Sequence, residues 1–149
     1  RLATTNVISV GFHNDRVFYL NGASDTGRDE DRDTYLVTGI LSDDGFLLER
    51  HSLKLDGRRL EGRVDWGIVG LQDGLIAVLG NEVNVTTGRE VVNSRLEILD
   101  TPRGRPAQVV YEVLTTSPIT AIAPYDDALL VVQPDRVSTY QIGLSGAHL

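Results

Sequence analysis

The sequence predicts an all-β protein built from repeated antiparallel units, and three observations carry that expectation. A motif recurs three times, as VGFHNDRVFYL at 10–20, VGLQDGLIAVL at 69–79 and IAPYDDALLVV at 122–132. Each copy sets a turn pair, Asn14-Asp15, Asp73-Gly74 or Asp126-Asp127, between two short apolar runs, and these residue types tolerate the left-handed backbone of tight hairpins. Helical apolar periodicity is absent along the chain, while Gly 15 and Pro 5 suit a fold with many turns.

The copies recur at intervals of roughly 50 to 60 residues, a range in which periodicity signals solenoids, propellers or arrays. Between the first two, only Val10/Val69, Gly11/Gly70 and Leu20/Leu79 are identical, so the repeat is one of pattern. Each copy is expected to be a hairpin. Its second strand, RVFYL, LIAVL or ALLVV, is apolar without alternation, as a strand is when both its faces are buried. An inner strand of that kind requires sheets stacked face to face.

Two further strands follow the hairpin in each complete unit: TYLVTGIL and FLLERHSLKL in the first, SRLEILD and AQVVYEVL in the second. These mix polar and apolar residues. Four antiparallel strands per unit, apolar inside and mixed outside, describe a β-propeller blade better than a sandwich or barrel. The units span about 6–60, 64–116 and 117–149, all within one domain over 1–149. Only VSTYQI follows the third hairpin, so the expectation is a partial propeller of two four-stranded blades plus about three strands of a third. Propellers close with ~4 to 8 blades. Three arrangements therefore stay open: a fragment of a longer chain, a chain that pairs with another, or three units in a β-prism or sandwich.

Composition narrows the function classes. A chain of 149 residues buries roughly 70% of its unfolded surface, enough for one real core. No apolar run approaches the ~18 residues of a membrane-spanning helix, and the N-terminal RLATTNVISV lacks the features of a secretory signal. The absence of Met, even an initiator, is expected of a processed product or a piece of something longer. Arg and Lys total 14 against 21 acids, for a net charge of −7. Direct nucleic-acid binding is disfavoured, because phosphate backbones are bound by concentrated positive charge. Without Cys there is no disulfide, thiolate metal site or Cys nucleophile, and the compartment stays open.

Residues 96–142 resemble propeller repeats of two settings. Ile98, Asp100, Pro102, Pro106 and Leu129 to Val132 follow the order of a bacterial and archaeal cell-surface repeat, in which a strand ending in Ile and Asp precedes a Pro-containing turn, a strand and an aliphatic strand. The loops at 21–33 and 81–93 resemble the long polar loops between second and third strands in the multi-propeller scaffold family of damaged-DNA-binding and cleavage-polyadenylation subunits. Both resemblances imply a propeller. The WD dipeptide is missing, and Ser42-Asp43-Asp44-Gly45-Phe46 lacks the spacing of an Asp-box hairpin.

The most conspicuous candidate site is the excursion SDTGRDEDRD at 24–33. Asp29, Asp31 and Asp33 have the alternating spacing that aims carboxylates at a hard cation such as Ca²⁺. Thr34 and Ile40 stand where an EF-hand loop has its glycine and its bidentate acid, so that loop type is excluded. The plainer reading is a solvated acidic excursion whose charge is softened by Arg28 and Arg32. A second excursion, NEVNVTTGREVVN at 81–93, contains the glycosylation tripeptide Asn84-Val85-Thr86. Both excursions join second to third strands and so are expected on one face. That face is the expected partner-binding surface, through Asp25, Arg28, Arg32, Glu82, Asn84 and Arg89.

The remaining candidates read more plainly. Trp66 suits packing between units. His13, His51 and His148 lie in different contexts, and Ser145 in GLSGAH lacks the second glycine of a nucleophile elbow. Arg103 and Arg105 read as a solvated hairpin tip able to meet an acidic partner. Nothing pairs a nucleophile with a base, so no catalytic residue is expected. The expectation is a non-catalytic scaffold whose partners are other protein chains or the rest of its own propeller, with no direct nucleic acid, no membrane span and no cofactor except Ca²⁺ in the metal version. The alternatives are a propeller hydrolase or lyase with a central-channel site, and a secreted or cell-surface module with structural calcium.

Overall fold

The computed structural model describes residues 6–13, 16–23, 33–55, 63–71, 74–84, 90–102, 104–143 and 146–148. They form twelve strands: β1 (Asn6–His13), β2 (Arg16–Ala23), β3 (Asp33–Leu41), β4 (Leu47–Leu55), β5 (Arg63–Gly70), β6 (Leu75–Asn84), β7 (Glu90–Asp100), β8 (Gln108–Thr115), β9 (Ala121–Tyr125), β10 (Ala128–Gln133), β11 (Arg136–Gly143) and β12 (Gly146–His148). Consecutive strands pair antiparallel in three sheets, β1-β2-β3-β4, β5-β6-β7-β8 and β9-β10-β11-β12. The all-β expectation holds, and each of the three motif copies is a hairpin.

Two details differ from the sequence reading. The third sheet has a fourth strand: Gly143 pairs with Gly146 and Gln141 with His148. A strand of three residues, Gly-Ala-His, is too short to display an alternation. The second hairpin also has a longer loop than its copies. His13 pairs with Arg16 and Tyr125 with Ala128 across two residues, whereas Leu71 N donates to Leu75 O across three. Its last loop residue, Gly74, sits at φ +76°, the left-handed position that three-residue hairpin loops place there. In the third hairpin Asp126 takes φ +51°, consistent with the tolerance of Asp for this region.

The middle sheet is covered on both faces. Along β6 the side chains alternate: Ile76 and Val78 pack with Phe18, Leu20, Leu36 and Leu55 of the first sheet, while Leu75, Ala77 and Leu79 pack with Leu129 and Val131 of the third. This is why LIAVL shows no alternation of hydrophobicity. The outer strand β8 faces solvent on alternate residues, and Val109, Val110 and Leu114 are among its exposed apolar side chains.

Polar contacts sit between the same sheets. Ser94, buried on β7, donates to Asn81 Oδ1 at 2.5 Å and accepts from Ile119 N at 2.8 Å; Asn81 Nδ2 donates to Ile119 O at 3.0 Å. The connection from β8 to β9 is thereby tied to the middle sheet. Glu97, buried on the face turned to the first sheet, has Arg95 Nε 3.2 Å away, and Arg95 also reaches Glu112 at 3.4 Å. The rings of Tyr111 on β8 and Tyr140 on β11 lie 6.2 Å apart.

Leu129 is wholly buried and Leu114 is 66% exposed. Leu129→Ala is expected to lower the free energy of unfolding by about 2–5 kcal/mol, and Leu114→Ala by under about 0.5 kcal/mol, in urea titrations. Burial foremost, and then the neighbouring Tyr111, raise the Tyr140 phenol above 10.0, with Arg136 acting in the opposite direction. The unfolded chain then loses this proton first, so stability is intact below pH 10.0 and falls as pH rises through the folded value. Tyr140→Phe is expected to reduce that alkaline loss, read from urea midpoints across the same interval.

Candidate functional site

A cleft opens between the first and second sheets, at the end where the first hairpin turns. It has about 310 Å³ of atom-free space, open to solvent. Its charged lining comes from separate segments: Arg16 at the start of β2, Glu49 and His51 on β4, and Arg105 in the connection from β7 to β8.

Backbone irregularity shapes the first-sheet wall. Thr38 pairs with His51 and Ile40 with Leu48, so Gly39 alone opposes Glu49 and Arg50 in a β-bulge. Glu49 takes φ +50°, a conformation uncommon for a residue with a side chain. A Cβ on Gly39 would stand 2.5 Å from Leu47 Cδ1 and 3.0 Å from the Leu48 carbonyl oxygen. Glycine here allows the close approach that the bulge demands. The bulge changes which way the β4 side chains point, and Glu49 and His51 both reach the cleft.

Thr101 holds the second-sheet wall. Its backbone N donates to the Gly74 carbonyl at 2.9 Å, and its hydroxyl donates to the same oxygen. That hydroxyl accepts from Arg16 Nη1 at 3.1 Å, linking the two sheets across the cleft. Arg16 and Arg105 are guanidinium groups with five donors each and no acceptor. Against the single carboxylate of Glu49 they give the cleft lining a net positive charge on an acidic chain, suited to a carboxylate.

Of the residues singled out from the sequence, His51 and Arg105 line this cleft, Arg103 lies outside the described residues, and the others fall elsewhere. Asp25, Arg28, Asp29, Asp31, Arg32 and Arg89 lie outside the described residues. Asp33 opens β3, paired with Ala23. Glu82 lies within β6 and accepts from Asn93 Nδ2 at 3.2 Å, and Asn84 ends β6 paired with Glu90. The expected loop over 81–93 is thus corrected: β6 and β7 extend through most of it, leaving 85–89 between them. The cause is its alternation, with Val83 buried between Glu82 and Asn84 and opposite Val91, which lets a strand continue across a bulge. Trp66 packs with the apolar cluster between first and second sheets, and a Cβ on Gly80 would lie 2.8 Å from its ring. His13, His51 and His148 stand on β1, β4 and β12. Among the described residues no three His, Cys, Asp or Glu side chains gather as metal ligands, and no helix is long and apolar enough to cross a membrane.

Sequence reasoning missed the cleft. Gly39 inside an apolar strand was its one local signal, since such a glycine marks a bulge or a close backbone approach. No protein-family model matches the chain, and no curated protein matches it in sequence.

Thr101 is nearly inaccessible, at 4% exposure. Thr101→Val keeps its shape and removes the hydroxyl from both partners, and is expected to cost about 1–3 kcal/mol in chemical denaturation. Thr101→Ser, which retains the hydroxyl, is expected to recover most of that loss.

Proposed function

We propose that the chain is a segment of a β-propeller that acts as a scaffold for protein–protein contacts and carries no catalytic chemistry of its own. The observation that supports this most is the stacking of three four-stranded antiparallel meanders in which β1 lies beside β5 and β5 beside β9. First strands gathered on one side, with mixed polar strands on the other, suit sheets arranged around a central channel. The pattern over 96–142 agrees with propeller repeats of the bacterial and archaeal cell-surface kind or of the multi-propeller scaffold kind.

The partners on this reading are other protein chains or further sheets of the same ring. Recognition falls to the segments between second and third strands, with Asp25, Arg28, Arg32 and Arg89 in the two excursions and Glu82 and Asn84 at the base of the second. The cleft lined by Arg16, His51 and Arg105 adds a place for an acidic side chain of a partner.

The test is carboxylate-directed cross-linking in an extract of the source cells, read by mass spectrometry, because the chain has 21 acids and a single Lys. Partner cross-links are expected to concentrate in 24–33 and 81–93. Replacing 24–32 with a Gly-Ser segment of equal length is expected to abolish them without moving the melting temperature. A partner that stays bound to that variant, or cross-links spread without preference, would refute the scaffold assignment.

A further inference from the structure

One position can be compared across the three sheets, the residue that opens each second strand. Arg16 opens β2, Leu75 opens β6 and Ala128 opens β10. Leu75 and Ala128 are buried, at 7% and 4% exposure, and Leu75 belongs to the apolar cluster that joins the second sheet to the third. Phe18 and Leu20 belong to the corresponding cluster between the first sheet and the second. Arg16 shares their face, because side chains two residues apart on a strand point the same way. An arginine thus stands where, one sheet further on, a leucine closes the interface, and there the first interface opens into the cleft.

The lining divides by chemistry. The buried Phe18, with Ile40 and Pro102, gives it apolar surface, and Arg16, Glu49, His51 and Arg105 give it charge. Among these described residues two guanidinium groups stand against one carboxylate, so with His51 counted neutral the lining carries one net positive charge. The bond from Arg16 Nη1 to Thr101 Oγ1, at 3.1 Å, takes one of the five guanidinium donors and fixes the direction of the group. The 310 Å³ of atom-free space lies at the bottom of the range of small-molecule sites, roughly 300–1,000 Å³. A ligand with one negative charge and a short hydrocarbon body matches all three properties. A polyanion would be opposed by Glu49, and an uncharged apolar molecule would leave the guanidinium groups without an acceptor.

We infer that the cleft binds a singly charged carboxylate carried on a compact apolar body, with Arg16 and Arg105 as joint donors to its oxygens. Because Arg16 belongs to the first sheet and Arg105 follows the third strand of the second, the bound carboxylate ties these two sheets together. The carrier is a free short-chain acid or the glutamate side chain of a partner protein. The chemistry is common to both, and only the second carrier rests on the scaffold reading. The site lies between two sheets that this chain itself supplies.

The test is calorimetric titration of the intact chain with sodium butyrate and, separately, with a capped Ala-Glu-Ala peptide whose only charge is its side-chain carboxylate, each against sodium chloride at equal ionic strength. Saturable binding of both at millimolar concentrations is expected, with a rise in melting temperature because each binds the folded state. Arg105→Gln, at an exposed position, is expected to weaken both about tenfold with its melting transition kept, as the loss of a hydrogen bond to a charged group does. Arg16→Leu, which gives the first sheet the residue type of the second, is expected to abolish binding without lowering the melting temperature. Arg50→Gln removes the same charge from an exposed position outside the lining, and is expected to bind as the wild type does. Binding of the peptide alone upholds the site and assigns it to a partner's side chain, and binding of butyrate alone assigns it to a free acid. Neither saturable heat nor a melting shift with either probe, affinity that Arg105→Gln leaves unchanged, or citrate binding more tightly than butyrate overturns the inference. None of these results bears on the excursion at 24–33, through which the scaffold reading is tested.

Discussion

The whole arrangement depends on a strand with no polar face. Leu75 to Leu79 of β6 are buried on both sides, so the sheet that contains them cannot exist in water uncovered. Each fully buried aliphatic side chain of this size contributes roughly 1.5–3 kcal/mol over its exposed state. A single four-stranded sheet would leave half of that unmade. Covering one face with the first sheet and the other with the third makes both halves at once, which is why three sheets form one stack. The outer strands need no such cover, and β4 and β8 accordingly carry the alternating exposure of a rim.

This much was legible in the sequence because it depends on patterns only a few residues long. Continuous apolar runs, turn pairs and the recurrence of both gave the strands and their grouping. Hairpin register was not legible. Val10 and Val69 are identical and look equivalent, yet Val10 pairs with Tyr19 while Val69 pairs with Ala77. The three-residue loop of the second hairpin slips β5 by one position, and a slip of one turns every side chain to the other face. Ile68, opposite Val78, is the structural counterpart of Val10. Sequence identity pointed one residue away from structural identity because the loop length that decides between them hinges on the backbone angle of Gly74.

The cleft was hidden for a different reason. Its walls come from β2, the ends of β3 and β4 at their bulge, and the connection after β7, segments with no proximity in the chain. A basic group on an acidic chain is unremarkable at each position taken singly. Convergence arises because the first sheet packs with its hairpin end against Thr101 and because Glu49 adopts a left-handed backbone that turns β4 at that point. Backbone strain of this kind persists where surrounding contacts over-determine it. Here the Gly39 approach to Leu48 and the pairings on either side do so.

Apolar burial supplies the drive to stack but not the angle, since the hydrophobic effect has no direction. The polar contacts supply direction. Arg16 meets Thr101 just beyond the Leu75–Asp100 end of the β6–β7 ladder, and so fixes the first sheet there. Asn81 and Ser94, paired near the other end of that ladder, hold Ile119 and so fix the approach of the third sheet there. One flanking sheet is thus pinned at each end of the middle sheet. Two sheets pinned at opposite ends of a shared neighbour keep independent tilts, so the stack's geometry is set by hydrogen bonds at two points while its cohesion comes from the aliphatic layers between them.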